Sequence, residues 1–254
     1  MKRTTLFLAS AALLASSAIV LAAAPTAGMK AAVADSGRPA ADTARDENRK
    51  PAEMLAFAGI TPGKVVVDLL PGGGYFTRIF AKAVEPGGRV YAYFGSQYDA
   101  RLKTQGKDPD NQFADLKAAY KNLGVIHGPL VQFVTPEPVD VVWTSDNYHD
   151  MHNKSYDMDV AAVNKAIYKS LKPGGYYVII DHRAAESTGD DVTENLHRIK
   201  ESTTKKEVEA AGFKLVAEGD ALHHPADDGT KKVFEADVKG KTDQFMLKFQ
   251  KPRH

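Results

Sequence analysis

The run Val65-Val66-Val67-Asp68-Leu69-Leu70-Pro71-Gly72-Gly73-Gly74-Tyr75-Phe76-Thr77 constrains this chain more than any other segment. Three β-branched residues lead into an acid, then a turn with three consecutive glycines, then Phe76, Ile79, Phe80 and Val84 at helical spacing. The pattern predicts a strand, a glycine-rich turn and a helix start, which together let a ligand lie against bare backbone at a helix N-terminus. Glycine suits such a turn because a Cβ would block close approach and disfavour positive φ. On its own the turn is weak evidence, and its neighbours supply the context.

Downstream, helical and strand patterns alternate. A helix is predicted over Pro51–Gly59, with proline in the first turn and glycine as the stop. Strand 1 covers Val65–Leu69, and a helix follows Gly74. The turn Glu85-Pro86-Gly87-Gly88 precedes strand 2 at Arg89–Phe94. Asn111–Leu123 has helical spacing, Leu130–Val134 reads as strand 3, and Val139–Thr144 as strand 4. Helix Asp159–Leu171 ends at Lys172-Pro173-Gly174-Gly175 before strand 5, Tyr176–Asp181. Helix Thr203–Ala211 precedes the last two strands, Phe213–Glu218 and Gln244–Lys251, which are separated by a polar insert, Gly219–Asp243. Apolar strands alternating with helices predict a doubly covered, mostly parallel sheet, its last two strands paired as a hairpin. Ligands bind such sheets beyond the strand carboxyl ends, at the switch in strand order. That nominates Asp68–Thr77, Ser145–Asn153 and Asp181–Arg183 for one site.

The first 24 residues read as a targeting segment. Lys2 and Arg3 precede the apolar stretch Leu6–Ala24, and small-x-small cleavage sites follow at Ala22-Ala23-Ala24 and Ala32-Val33-Ala34. An uncleaved anchor of about 19 weakly apolar residues is the competing reading. Cleavage and export, most simply to a bacterial periplasm, is preferred, with no stable membrane anchor afterwards. Residues 25–45, rich in Ala, Pro, Gly, Ser and Asp, read as a solvated, flexible leader, and 46–254 as the domain. Loss of Lys2 and Arg3 takes the formal charge from +1 to −1. So near-neutral a chain gives no reason to expect nucleic acid as a partner. The absence of cysteine excludes disulfides, thiolate metal sites and cysteine nucleophiles.

The layout resembles the class I S-adenosylmethionine-dependent methyltransferases, and looks most like an exported subgroup of predicted methyltransferases. The resemblance runs from about Asn48 to Pro252. It rests on Val67–Tyr75, on Asn147-Tyr148-His149-Asp150-Met151-His152-Asn153, on Leu171-Lys172-Pro173-Gly174-Gly175 and on Ile180-Asp181-His182. It implies a Rossmann-like, seven-stranded, mostly parallel sheet with helices on both faces and an antiparallel last strand. It also implies S-adenosylmethionine over the turn after strand 1, and methyl transfer to a small-molecule acceptor. Two positions depart from the family. Its turn reads Asp-x-Gly-x-Gly-x-Gly, and here Leu70 stands at the first glycine while Gly72 and Gly74 match. An acid normally ends strand 2 and grips the ribose; here Phe94 is followed by Gly95, Ser96 and Gln97, so Gln97 or Asp99 would substitute.

On this reading Asp68, Gly72, Gly73, Gly74, Tyr75 and Asn147 hold the cofactor. Asp68 contacts it through the turn, or else hydrogen-bonds turn amides. Catalytic candidates are His149, Asp150 and Asp146 after strand 4, His149 serving as a neutral general base near its unperturbed pKa of ~6.5. His152, Asp181 and His182 are substrate-binding candidates. His149, Asp150, His152, Asp181 and His182 also offer imidazole and carboxylate ligands, but His-x-x-His inside a loop is weakly diagnostic and no metal is expected. Arg49 and Glu53 read as a solvated helical face that could instead close over the cofactor's carboxylate. His223 and His224, beside Asp227 and Asp228, read as a solvated loop. Two competing functions remain: a binding protein of this fold without catalysis, and a metal-dependent hydrolase or lyase using His149 and His152. The acceptor and the oligomeric state are not legible.

Overall fold

The computed structural model describes residues 23–189 and 191–253. The predicted targeting segment therefore lies almost wholly outside the described residues. The strands are β1 (Val65–Leu69), β2 (Arg89–Gly95), β3 (Leu123–Gly128), β4 (Val139–Ser145), β5 (Leu171–His182), β6 (Lys214–Gly219) and β7 (Gln244–Gln250). The helices are α1 (Ala27–Val33), α2 (Ala40–Thr43), α3 (Asp46–Arg49), α4 (Pro51–Ala58), α5 (Tyr75–Ala83), α6 (Ser96–Thr104), α7 (Ala114–Ala119), α8 (Val160–Ser170), α9 (Val192–Leu196) and α10 (Glu201–Ala210). The strands form one seven-stranded sheet in the order β3-β2-β1-β4-β5-β7-β6. Strands β1 to β5 pair in parallel, and β7 runs antiparallel to both β5 and β6. This is the Rossmann-like fold expected, and the order reverses between β1 and β4, where a cleft must open.

Strand side chains alternate between two cores. Val66, Val141 and Trp143 face a layer containing Phe76, Phe80, Met54 and Leu55, while Val67, Leu69 and Val142 face one containing Val163, Ile167 and Val208. Burial on both faces explains why β1 has no exposed residue.

Three expectations about the elements need correction. The third strand is Leu123–Gly128, not Leu130–Val134. It is a half-exposed edge strand whose glycines hide it; Gly124 leaves room for the Tyr91 ring, which a Cβ would meet at 2.8 Å. Leu130–Gln132 is a 3₁₀ turn that buries Leu130 and Phe133 on one side, three residues apart, and leaves Val134 exposed. The helix expected over Asn111–Leu123 shrinks to Ala114–Ala119, because Phe113 takes a left-handed conformation and Tyr120 is already extended. In β5, Lys172–Gly175 is a register shift inside the strand rather than a turn before it: Leu171 pairs with Val139 and Tyr176 with Val141.

The stretch 25–45 is also less solvated than its composition suggests. It carries α1 and α2, with Met29, Ala32, Arg38 and Asp42 buried. Thr26 caps α1, its Oγ1 accepting from the Met29 amide at 3.3 Å. The polar insert between β6 and β7 is likewise folded. It wraps Arg198, which is fully buried and donates to the Lys231 carbonyl at 2.7 Å, to Arg183 O at 3.0 Å and to Asp227 at 2.9–3.0 Å. Within it His223 remains exposed and pairs with Asp243. Among the described residues no helix is long and apolar enough to cross a membrane.

Candidate functional site

The turn after β1 enters the cleft in a set of left-handed conformations. Leu70 has φ 58°, Gly72 56° and Gly74 82°. Leu70 thus adopts the backbone of a glycine, held by its amide donating to Tyr93 O at 2.9 Å. The three glycines serve different ends. A Cβ on Gly72 or Gly73 would meet nothing within 4 Å, so their backbone lies open to the cleft. A Cβ on Gly74 would meet Phe113 and Leu116 at 2.9 Å, so this glycine accommodates packing under α5 and does not face a ligand.

Two cavities meet over this turn, sharing Leu70, Gly72 and Asn147. One, of about 200 Å³, is lined by Phe94, Gln97, Tyr98 and Arg101 from β2 and α6, by Leu130, and by Asp150, Met151, Tyr156 and Met158. The other, of about 180 Å³, is lined by Arg45, Arg49, Asp68, Gly73, Tyr75, Phe76, Ser145 and Asp146. Asn147 sits at their junction and ties the walls together, its Nδ2 donating to Leu70 O at 3.1 Å and to Ser145 O at 2.6 Å.

Asp68 is fully buried, and its Oδ2 accepts from Thr77 Oγ1 at 2.6 Å. It therefore anchors the first turn of α5 while also lining the smaller cavity. Burial pushes its carboxyl up to about 6 against the opposing Thr77 bonds and the Arg49 charge. Tyr75 lies under three guanidinium groups, with Arg45 and Arg49 each 4.7 Å from its ring centre, and donates to Asp46 at 2.6 Å. Arg49 is not a solvated residue: it reaches Ser145 Oγ and Asp146 Oδ2, both at 3.0 Å, across the cleft. Glu53 does face solvent. Of the two replacements for the ribose-gripping acid, Asp99 is occupied by His127 at 2.8 Å, whereas Gln97 lines the cavity.

The loop after β4 brings His149, Asp150, Asp181 and His182 together. Asp181, at the end of β5 and wholly buried, accepts from the His149 amide at 2.8 Å, from His149 Nδ1–H at 2.7 Å and from the His182 amide at 2.7 Å. So enclosed, it cannot touch a substrate as expected; it positions His149. His149 is itself buried and lines neither cavity. Burial alone would lower its pKa, but the Asp181 charge and hydrogen bond, with Asp150 and Asp146 behind them, raise it to about 9. These carboxylates favour the protonated imidazole, so the geometry does not supply a neutral general base at this position. Asp150 is the group of this cluster that reaches the larger cavity, and Asp146 the one that reaches the smaller.

His152 turns away from the cleft to the Glu207 carboxylate on α10, at 2.9 Å, and shares it with Tyr148. That pairing removes it as a substrate ligand. His182 is held 2.7 Å from Thr242 Oγ1 and 3.8 Å from Asp146. Sequence reasoning missed His197, which follows α9 and stands 3.5 Å from Asp150. It also missed all of α6, whose only buried residue is Leu102 and whose apolar spacing is therefore faint.

No family model and no curated protein sequence matches the chain. Solved structures do. A SAM-dependent methyltransferase from Aquifex aeolicus aligns with a TM-score of 0.55 at 18% identity, over 82% of this chain and 93% of that one. The Burkholderia thailandensis 1,6-didemethyltoxoflavin-N1-methyltransferase, solved with bound 1,6-didemethyltoxoflavin and S-adenosylhomocysteine, aligns with a TM-score of 0.51 at 16% identity, over 89% and 79%. The cyclase SpnF aligns with a TM-score of 0.55 at 16% identity, over 87% and 85%. At such identities the likeness is one of fold.

Proposed function

We propose that this chain is an S-adenosylmethionine-dependent methyltransferase acting on a small molecule, exported and working in a bacterial periplasm. The observation that carries the reading is the bare Gly72–Gly73 backbone, open at the β1/β4 switch point between two cavities. The residues present fit the cofactor. Gly72 and Gly73 leave the room that a Cβ would fill, Arg45 and Arg49 stand at one end for a carboxylate, and Phe94, Tyr98 and Gln97 wall the other for a base and ribose. When bound, S-adenosylmethionine supplies an electrophilic methyl group. The chain's own contribution is to align donor and acceptor and to keep water out. Asp150 is the acid placed to meet an acceptor, with His149 and Asp181 fixing the loop that carries it, while Asp146 holds Arg49 at the carboxylate end.

Gly73→Val tests the assignment, because Gly73 has neither positive φ nor a close neighbour and the fold should tolerate the change. Calorimetry with S-adenosylhomocysteine should show binding to the parent and at least a tenfold loss in a variant of unchanged melting temperature. A parent that does not bind, or a folded variant that binds equally well, overturns the reading. A second reading, binding without transfer, is favoured by Leu70 and by the missing acid at the end of β2; it predicts the same calorimetry without turnover on any acceptor. SpnF has this fold and is named a cyclase, so fold does not decide the reaction.

A further inference from the structure

We propose that His149 Nε2, Asp150 Oδ1 and His197 Nδ1 form a binding site for a divalent transition-metal ion beside the larger cavity, which Asp150 lines. The geometry is that of a metal site. Asp150 Oδ1 lies 3.3 Å from His149 Nε2 and 3.5 Å from His197 Nδ1, and all three atoms fall within 4.8 Å of one another. Ligands at ~2.1 Å from a tetrahedral ion stand ~3.4 Å apart, so two of the three separations already suit zinc.

The surroundings prepare these atoms. His149 spends its Nδ1–H on the buried Asp181 carboxylate, which turns Nε2 toward Asp150 and His197; a carboxylate behind a metal-ligating histidine acts in this way. His197 is carried to the cluster by a strained backbone, φ 54°, at the end of α9. The next residues clamp it beside β5, with Ile199 N donating to His182 O at 3.0 Å and Ala184 N to Ile199 O at 2.9 Å. The ring of Phe234, from the insert, packs on His197 at 4.9 Å. Neither the strain nor the clamp is needed for a solvated histidine.

Two imidazoles and a carboxylate without sulfur suit zinc or iron(II) and leave coordination positions for water or a substrate atom. Asp150 lines the larger cavity, so those positions would open into it. An ion there would lower the pKa of a bound water or hydroxyl. The proposal stands apart from the methyltransferase reading, since it needs only these three side chains and Asp181.

The test is titration of the full, chelator-stripped protein with zinc and, anaerobically, with iron(II), followed by calorimetry. One equivalent should bind, and cobalt(II) should give a visible ligand-field spectrum. His197→Ala should weaken binding at least tenfold while circular dichroism stays native. Asp181→Asn, which leaves all three ligands in place, should weaken it about 10–100-fold. Should His197→Ala not fold, Asp150→Asn serves in its place with the same expected loss. No binding of either ion to the parent, or equal affinity in a folded ligand variant, overturns the site. S-adenosylhomocysteine calorimetry on the same stripped protein reads the other proposal separately: its binding survives if only the metal site is wrong.

Discussion

Asp68→Asn should make this protein more stable at neutral pH and, in doing so, reveal what the cleft costs the fold. Asp68 is a carboxylate in a fully buried position with one side-chain partner, the Thr77 hydroxyl, and no cation in contact. Burial pushes its pKa up to about 6 from an ordinary 3.8. The native state therefore binds more protons than the unfolded chain between those two values, and stability falls as pH rises through the window. A shift of about two units corresponds to roughly 3 kcal/mol of native-state cost, fully present above about pH 7 and absent below about pH 4. Asparagine removes the charge and hence the whole pH-dependent part. Its amide cannot accept on both sides, so one hydrogen bond worth about 1 kcal/mol is lost, and the net gain at pH 7 should be about 2 kcal/mol.

The assay is urea unfolding of parent and variant from pH 4 to 7.5. The difference between the two unfolding free energies should change by roughly 3 kcal/mol across that range, with the variant ahead at the upper end. The lost hydrogen bond is independent of pH and so cannot mimic this curve. A difference that stays flat with pH, or a parent that is the more stable protein at pH 7, would refute the reasoning.

Three further outcomes follow from the packing. Arg198→Met removes the buried partner of Asp227 and should cost about 3–5 kcal/mol, with the insert becoming the first site of limited tryptic cleavage at Lys231 or Lys232; native resistance would show that the insert is held otherwise. Gly74→Ala combines a φ of 82° with 2.9 Å contacts to Phe113 and Leu116 and should lower stability by about 1–3 kcal/mol in a urea titration; a neutral result would deny the tight packing under α5. Intact mass of protein from its native host should show a mature N-terminus no later than Thr26, because α1 buries Met29 and Ala32; a start after Ala34 would mean that α1 is dispensable.

The sheet was legible because its signals are local. Val65–Leu69 is apolar throughout since both its faces are covered, and Pro51 and Gly59 mark the ends of one helix. The edge strand Leu123–Gly128 was not, since one face meets solvent and its glycines exist for the sake of Tyr91 and Tyr93 on the neighbouring strand. The loop after β4 stood out in the sequence as a polar run at a strand end, but the partners of its side chains did not. Whether a histidine there is a base, a ligand or a structural cation depends on Asp181, 32 residues away, and on Glu207, 55 residues beyond His152. Partners at such separations leave no trace in spacing. His197 was invisible for the same reason: a lone histidine between a polar helix and Arg198 has no periodic signature.

Backbone strain marks the cleft more sharply than any residue type does. Six non-glycine residues among those described have positive φ, and three of them, Leu70, Asp146 and His197, border this one region. Each costs on the order of 1–3 kcal/mol and persists only where its surroundings over-determine it. Those surroundings are visible: the Leu70 amide donates to Tyr93 O at 2.9 Å, Asp146 to Ile180 O at 2.9 Å and His197 to Thr193 O at 3.1 Å. The first two bonds run to neighbouring strands, so the sheet itself imposes the conformations. A glycine at any of the three would relieve the strain and lose the side chain, namely the wall between two cavities, the acceptor for Arg49, or the imidazole facing Asp150. Side chains kept at that cost, at the end of the sheet where strand order reverses, are what a preorganised binding site requires.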